Sequence, residues 1–294
     1  MKIIVCVKQI KYTYTRTGQD LDTKYINPED SIFRINLYDE AAIELALRLK
    51  DMDSNTEITL LTLGDMIAEV ELRRCLATGP DHLYQAVFYG HKDSDPLSQP
   101  DPRVKADLIS KVAKSLGADL ILCGKESMDR ANGQVGALVA QQLDLPFVSA
   151  ITDFSFEQGR RVFNVQRSAG RGVREVIECA LPAVFSVDLS AELRLPTVEA
   201  RKKADAYEIR VPDVGEEAIP AKINCKKIFQ PRPRPRIIPV PDSSLDAYDR
   251  VLQLLSGSNV EKKGEMLTGS TESQVRGIIN FLKENEFIES KSPV

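Results

Sequence analysis

Apolar and polar positions alternate in blocks along the first 150 residues. Short apolar runs typical of buried parallel strands occur at 3–7, 58–63, 83–89, 120–123 and 147–151. Helix-length stretches, some preceded by a capping residue or ended by glycine or proline, lie between them at 41–50, 70–77, 102–116 and 135–143. This order predicts an α/β fold with an open, mostly parallel, doubly wound sheet.

The pattern changes after about residue 152. Short runs with alternating polarity occur at 153–156, 161–166 and 173–179, and turn-forming residues separate them. These runs predict a small antiparallel addition to the sheet. A strongly apolar run at 182–187 indicates one more strand, which we expect to return to the main sheet.

Beyond residue 190 the chain has few apolar runs, so we expect a long C-terminal arm there rather than a core. A basic cluster at 201–203 is followed by alternating proline and arginine at 231–236, which favours extended polyproline conformation. Two amphipathic helices are predicted, at 245–255 and 272–284. Their isolated apolar stripes need a partner surface.

Composition narrows the possible functions. The 294 residues are 43% apolar and 28% charged, and 39 basic against 43 acidic side chains give a net charge of −4. This balance gives no reason to expect a nucleic-acid surface. No apolar run approaches the roughly 20 residues that span a bilayer, so we expect no transmembrane segment and a cytoplasmic protein. Five scattered cysteines and two histidines offer little material for a disulfide framework or a metal site.

Three segments follow strands that we expect to end at one edge of the sheet. In an open α/β sheet, ligands bind beyond the carboxyl ends of the strands. The segments are 6–8, 63–64 and the loop 124–136, whose glycines and following helix N-terminus would offer N–H groups to a phosphate. On spacing alone, a loop that merely turns the chain is the better interpretation, because neither G-x-G-x-x-G nor a P-loop motif is present. Residues 36–39 could reach the same crevice or serve only as a helix cap.

Four blocks of sequence resemble the beta subunit of electron transfer flavoproteins. They lie at 3–9, 36–47, 124–136 and 181–189, the last followed by Leu195-Pro196 and the basic run 201–203. Order and spacing agree over about residues 1–236, and the last helix is similar to the family's C-terminal helix. Residues 239–268 resemble an extra insertion into the family pattern. The resemblance implies a fold like that of adenine nucleotide alpha hydrolases. It divides the chain into an α/β nucleotide-binding domain at 1–190, a recognition loop with an extended arm at 191–236, and a C-terminal arm at 237–294.

The resemblance also implies a function. The family forms a heterodimer with an alpha subunit, accepts electrons from a flavin dehydrogenase, here of acyl-CoA type, and passes them to a downstream acceptor. FAD shared with the alpha subunit carries the redox chemistry, and the beta site holds AMP or a second FAD. We therefore expect no catalytic acid or base and no metal in this chain. Leu195 matches the leucine with which the family contacts its dehydrogenase.

The nucleotide-binding residues implied by position are Cys6, Asn36, Leu37, Tyr38, Asp39, Leu63, Gly124, Lys125, Glu126, Ser127, Met128, Asp129, Arg130, Ala131, Asn132, Gly133, Gln134 and Val135. Val135 stands where members with AMP have threonine, whereas Asn132-Gly133 and Arg130-Ala131 differ from the pattern of electron-bifurcating members, so the nucleotide stays open. Leu37 stands where the family usually has proline. Gln134-Val135-Gly136 is more similar to electron-bifurcating members. An NADH-dependent bifurcating subunit, with FAD in the beta site, is therefore one alternative, and a free-standing adenine-nucleotide sensor is another.

Overall fold

The computed structural model describes residues 1–13, 31–88, 100–157, 159–215, 221, 223, 227, 243–255 and 267–284. The chain divides into two compact units, 1–233 and 234–294. The division at residues 190 and 236 that the sequence suggests stays a prediction. The alternating proline and arginine at 231–236 lies outside the described residues.

The described residues of the first unit form ten strands. In chain order they are β1 Lys2–Cys6, β2 Gln9–Thr13, β3 Ser31–Ile35, β4 Glu57–Leu63, β5 His82–Ala86, β6 Leu120–Gly124, β7 Phe147–Glu157, β8 Val162–Gly170, β9 Val173–Ala180 and β10 Ala183–Val187. Eight of them form one sheet in the order β5-β4-β1-β6-β10-β7-β8-β9, and β2 pairs with β3 in a separate ribbon. Every pairing from β5 through β10 to β7 is parallel, which confirms the predicted α/β sheet.

The antiparallel addition is part of the same sheet. β7 pairs with β8, and β8 with β9, in antiparallel register. The two sequence runs at 147–151 and 153–156 are one long strand with an irregularity between Ile151 and Asp153. The run at 182–187 does return to the main sheet, where β10 lies between β6 and β7. The β2–β3 ribbon was not predicted.

In the part of the chain that the structure describes, five helices lie in the first unit and two in the second. They are α1 Leu37–Met52, α2 Glu69–Leu76, α3 Pro102–Leu116, α4 Val135–Leu143, α5 Val198–Asp205, α6 Ala247–Leu255 and α7 Thr271–Glu284. The ends of α3 illustrate why the elements form where they do. Asp101 accepts a hydrogen bond from the N–H of Val104 and Pro102 opens the helix, while Gly117 ends it at φ +66°, a conformation that glycine adopts without strain.

Strands β1 and β6 are buried on both faces. Ile3 and Val5 lie in a core with α1 and α2, while Ile4 lies in a second core with α3 and α4. Burial on both faces explains the continuous apolar runs of the sequence. The chain fills the sheet outward from β1 to β5 on one side, then crosses to β6 on the other. The carboxyl ends of β1 and β6 therefore flank a topological switch point, where doubly wound sheets bind ligands.

The second unit contributes α6 and α7, within two residues of the helices predicted from the apolar stripes. Both stripes are exposed: Tyr248 and Val251 on α6, and Val275 and Ile278 on α7. Among the described helices, none is both long enough and apolar enough to cross a membrane.

Candidate functional site

Asp39 joins the two strand ends at the switch point. It lies in the first turn of α1 and is 4% exposed. Its two carboxylate oxygens accept hydrogen bonds from the backbone N–H of Lys8, at 2.7 Å, and of Gly124, at 2.9 Å. Burial raises the pKa of this carboxyl to about 7, against the lowering effect of hydrogen bonds from Lys8, Asn36 and Gly124. A single buried side chain thus fixes where β1 and β6 end relative to α1.

Asn36 holds the loop that follows β6, residues 125–134, which we call the β6–α4 loop. Its amide nitrogen donates to the carbonyl of Glu126 at 2.9 Å, and its amide oxygen accepts from the N–H of Met128 at 3.1 Å. Asn36 occupies the N-cap position of α1, as predicted, but its side chain makes no capping hydrogen bond. The amide is used to shape the loop instead.

Lys8 and Tyr38 add contacts from outside the loop. The Lys8 ammonium donates to Ser127 Oγ at 3.0 Å and lies 2.6 Å from a carboxylate oxygen of Asp129. The hydroxyl of Tyr38 donates to the carboxylate of Glu126 at 3.1 Å. The start of the loop is therefore bound to β1 and to α1 through side chains as well as backbone.

Two glycines allow the helices to approach the sheet closely. A Cβ on Gly124 would lie 2.7 Å from the Cβ of Tyr38 and would collide with the Asp39 carboxylate. A Cβ on Gly136 would lie 2.6 Å from Cys123 Sγ. Real Cβ atoms do not make such contacts, so these positions require glycine for packing.

The far end of the loop leads into the N-terminus of α4. Ala131 and Gly133 adopt positive φ, +50° and +59°, and turn the chain toward the helix. Gln134 occupies the N-cap position without a side-chain capping bond, and the first turn carries no acidic residue. Uncapped N–H groups at a helix N-terminus suit an anion such as a phosphate. This donor set fits the phosphate of an adenine nucleotide.

The structure brings most of the predicted site residues together. Cys6, the segment 36–39 and the β6–α4 loop surround the ends of β1 and β6, and Leu63 ends the adjacent strand β4. Asn36 and Asp39 use their side chains on the protein itself, so nucleotide contact by either one stays a prediction. Leu195 lies apart from this group, between β10 and α5, and is 84% exposed.

Sequence reasoning missed two side chains of this site. The Lys8 ammonium bridges β1 and the loop, and Asp188, directly after β10, lies 3.2 Å from the Lys125 ammonium. Asp188 directly follows β10, and Lys8 lies two residues after β1. A charged residue just after a predicted strand was the signal that could have identified them.

Other candidate chemistry lies away from the crevice. Glu57, His82, Tyr84 and Arg210 are among the residues that line a cleft at the opposite edge of the sheet. His82 is bound there, with Nε2 2.9 Å from Glu57, and His91 lies outside the described residues. Cys6, Cys75, Cys123 and Cys179 are free thiols, and the described part of the chain contains no cluster of three or more metal-ligating side chains.

Comparisons with known proteins agree with this arrangement. The model of the electron transfer flavoprotein domain matches residues 28–214. The beta subunit of an electron transfer flavoprotein from Megasphaera elsdenii is 32% identical, over 88% of this chain and all of its own length. Protein FixA of Azotobacter vinelandii is 30% identical, over 80% of this chain and 85% of its own. Subunit CarD of the caffeyl-CoA reductase–Etf complex of Acetobacterium woodii is 28% identical, over 98% of this chain and all of its own length. The chain therefore belongs to the electron transfer flavoprotein family, among its beta subunits.

Proposed function

We propose that this chain is the beta subunit of a heterodimeric electron transfer flavoprotein. Together with an alpha subunit it accepts electrons from a flavin dehydrogenase of acyl-CoA type and passes them to a downstream acceptor. The observation that carries the proposal is the switch-point crevice, where Asp39 and Asn36 build a fixed loop beside an uncapped helix N-terminus. Two relatives with names that include a CoA-ester reductase support the substrate class of the dehydrogenase.

The proposed cofactors are FAD, shared with the alpha subunit, and AMP in the crevice. The flavin, when bound, supplies the redox chemistry, and this chain contributes binding and orientation. The first-turn N–H groups of α4 would hold the phosphate, and the backbone of Cys6 to Lys8 would lie along the adenine. We also infer a cytoplasmic location, which the scattered free thiols favour.

Leu195 is the proposed contact with the dehydrogenase. It is 84% exposed, and Val198, at the start of α5, is 73% exposed. Exposed apolar side chains this close together are typical of a surface that another protein covers. The basic residues Arg201 and Lys202 follow on α5, so a pocket with an acidic rim would complement this surface.

Nucleotide content tests the proposal. The chain is purified with its alpha subunit, the complex is denatured, and the FAD and AMP released per heterodimer are counted. One FAD and one AMP are expected. The variant Asn36→Ala frees the β6–α4 loop and should lose AMP while retaining FAD. Asn55→Ala is the matched control, because this exposed asparagine lies at the other edge of the sheet and should leave both counts unchanged.

A second candidate function is electron bifurcation with NADH as the donor. Val135 provides no hydroxyl to a phosphate at the start of α4, and CarD aligns over nearly the whole of both chains. Two FAD and no AMP per heterodimer, together with reduction of the purified complex by NADH alone, would favour bifurcation. Neither nucleotide in the complex, with tight ATP binding by the chain alone, would favour a free-standing sensor.

A further inference from the structure

Arg194 binds α1 through two carboxylates. Its Nε and one Nη donate to Glu44 at 3.0 and 2.9 Å, and both Nη atoms donate to Asp51 at 3.2 and 2.8 Å. The backbone N–H of Arg194 also donates to Glu44, at 3.1 Å. Glu44 and Asp51 lie seven residues apart, which places them on the same face of the helix. Arg194 therefore contacts α1 at two positions that lie about two helical turns apart.

The chemistry of this contact favours a fixed geometry. Planar guanidinium–carboxylate pairs with two parallel bonds are strong and directional. Glu44 is 7% exposed, so its charge depends on a partner. The hydrogen bonds that Arg194 donates to Glu44 and Asp51 raise the pKa of Arg194, and the same donation lowers the pKa of Asp51. Both shifts favour the charged forms that hold the contact together.

Arg194 lies in the β10–α5 segment, residues 188–197, which has no regular secondary structure. Its side chain and its backbone N–H both contact α1, whereas the neighbouring Leu195 is 84% exposed. Pro196 restricts the backbone of Leu195 to extended conformations. The direction of Leu195 is thus set by the residue before it and the residue after it.

The far end of the surface is also held by an arginine. Nη1 of Arg73, on α2, donates to the carbonyls of Ala204 at 2.7 Å and Tyr207 at 2.9 Å, at the end of α5. The exposed Leu195 and Val198 lie between these two arginine contacts. An apolar anchor that is held in place before binding loses less conformational freedom when it enters a pocket.

We propose that Arg194 is a positioning residue for electron transfer: its contact with Glu44 and Asp51 holds Leu195 in the orientation that an apolar pocket of the dehydrogenase receives. This inference rests on the proposed function, because it requires a dehydrogenase partner. In this proposal the side chain of Arg194 bonds to α1 rather than to a substrate or cofactor. It acts through Leu195, and that dependence can be measured.

The experiment is a double-mutant cycle in the heterodimer with the alpha subunit. A butyryl-CoA dehydrogenase with butyryl-CoA reduces the heterodimer, and KM for the heterodimer is measured separately from kcat. Leu195→Ala should raise KM roughly tenfold. Arg194→Gln should raise it roughly three- to tenfold with kcat unchanged. In the Leu195→Ala background, Arg194→Gln should add less than about twofold, because residues that act through one contact are not additive.

Two further variants test whether the change in KM comes from losing the contact between Arg194 and α1. Arg194→Gln combined with Glu44→Gln removes the buried charge that Arg194→Gln alone leaves without its hydrogen-bonded partner, and it should raise KM as Arg194→Gln does. Arg48→Gln is the matched control, because Arg48 contacts the same Glu44 at 3.7 Å from α1 itself and should leave KM unchanged. Additive effects of Arg194→Gln and Leu195→Ala, or an unchanged KM in both Arg194 variants, would overturn the proposal.

Hydrogen exchange separates this inference from the proposed function. Arg194→Gln should speed amide exchange in residues 188–197 and leave exchange in the β6–α4 loop unchanged. Unchanged exchange in 188–197 would overturn the positioning role, whatever the kinetics. If the wild-type heterodimer took no electrons from the dehydrogenase while exchange in 188–197 still rose, the proposed acyl-CoA function would be refuted and the hold of Arg194 on the segment confirmed.

Discussion

Two connections of equal length follow neighbouring strands of the sheet. They differ in the kind of bond that holds each of them in place. The β6–α4 loop follows β6, and the β10–α5 segment follows the adjacent strand β10. Buried Asn36 and Asp39 hold the first connection and its strand through backbone amides and a carbonyl. Arg194, which is partly exposed, supplies two ion pairs of the second connection, with Glu44 and Asp51, and Asp188 supplies a third, with Lys125 of the first connection.

Both connections are held by the same helix. The first turn of α1 fixes the β6–α4 loop, and its middle and last turns hold the β10–α5 segment through Glu44 and Asp51. Hydrogen bonds to the backbone fix the shape of the crevice, and a small ligand needs a crevice of fixed shape. Ion pairs of a few side chains hold the β10–α5 segment and leave Leu195 exposed, as contact with a protein partner requires. The difference therefore separates a ligand surface from a docking surface on one scaffold.

The largest effect is expected from the carboxyl that ties the crevice together. The ordinary pKa of Asp39 is 3.8, and folding raises it to about 7. Between these values the folded protein holds a proton that the unfolded chain has lost, so this contribution to stability is full below about pH 4 and is lost as pH rises through about 7. Relative to Asp39→Asn, the wild type should lose up to about 4 kcal/mol of unfolding free energy across that range, measured by urea unfolding at several pH values.

Asp51 provides the contrast on the same helix. Its hydrogen bond from Arg194 lowers its pKa, so its contribution is present above the ordinary pKa and lost as pH falls. The Asp51→Asn comparison should therefore slope in the opposite sense and much less steeply, since Asp51 is largely exposed. For the Asp39 prediction, the contradicting result is an unfolding free energy that changes with pH in the same way in the wild type and in Asp39→Asn. It would show that the crevice does not depend on a buried carboxyl.

The next largest effect on the free energy of unfolding is expected from a methyl group added at Gly124, at the end of β6. Gly124→Ala places a methyl group against Asp39 and Tyr38 and should cost about 3 kcal/mol of unfolding free energy. Chemical denaturation measures the loss, and Gly159→Ala is the control because a Cβ there meets nothing within 4 Å. Equal stability of the two variants would mean that α1 can move away from the β6–α4 loop without penalty.

The smallest expected effect on the free energy of unfolding distinguishes two leucines of the β10–α5 segment. Leu193 is partly buried against the core, whereas Leu195 is 84% exposed. Leu193→Ala should therefore lower the unfolding free energy by about 1 to 2 kcal/mol, and Leu195→Ala by less than about 0.5 kcal/mol. Thermal unfolding of the two variants makes the comparison. A large loss in Leu195→Ala would indicate that this leucine serves the fold rather than a partner.

The sheet was predictable because its signal is local. Runs such as 3–7 and 120–123 are apolar on both faces, and glycine or proline marks the ends of several helices. The β2–β3 ribbon was missed because 17 residues separate its strands and no tight turn marks it. Helix α5 was missed because its sequence is mainly charged.

The site was predictable in its location and not in its contacts. Strand order predicted that the loop 124–136 follows a strand end, and the family resemblance, rather than the pattern, implied that the segment 36–39 joins it. That Asp39 is buried and accepts from two strand ends depends on packing between residues 31 and 85 positions apart. The contact of Arg194 with Glu44 joins residues 150 positions apart. Such long-range pairs leave no periodic signal in a single sequence.

The two outer strands of the sheet differ in a way that bears on self-association. At β5, the N–H of Arg210 donates to the carbonyl of Leu83 at 3.1 Å and its carbonyl accepts from Gln85 at 2.8 Å, so the outward backbone groups there are occupied. The other outer strand, β9, exposes Val173 and Val176. Strand addition between copies needs free backbone at both borders to propagate. Because the Leu83 carbonyl and the Gln85 N–H of β5 are already bonded to Arg210, the β5 border of the sheet offers less free backbone on which a second copy could extend it.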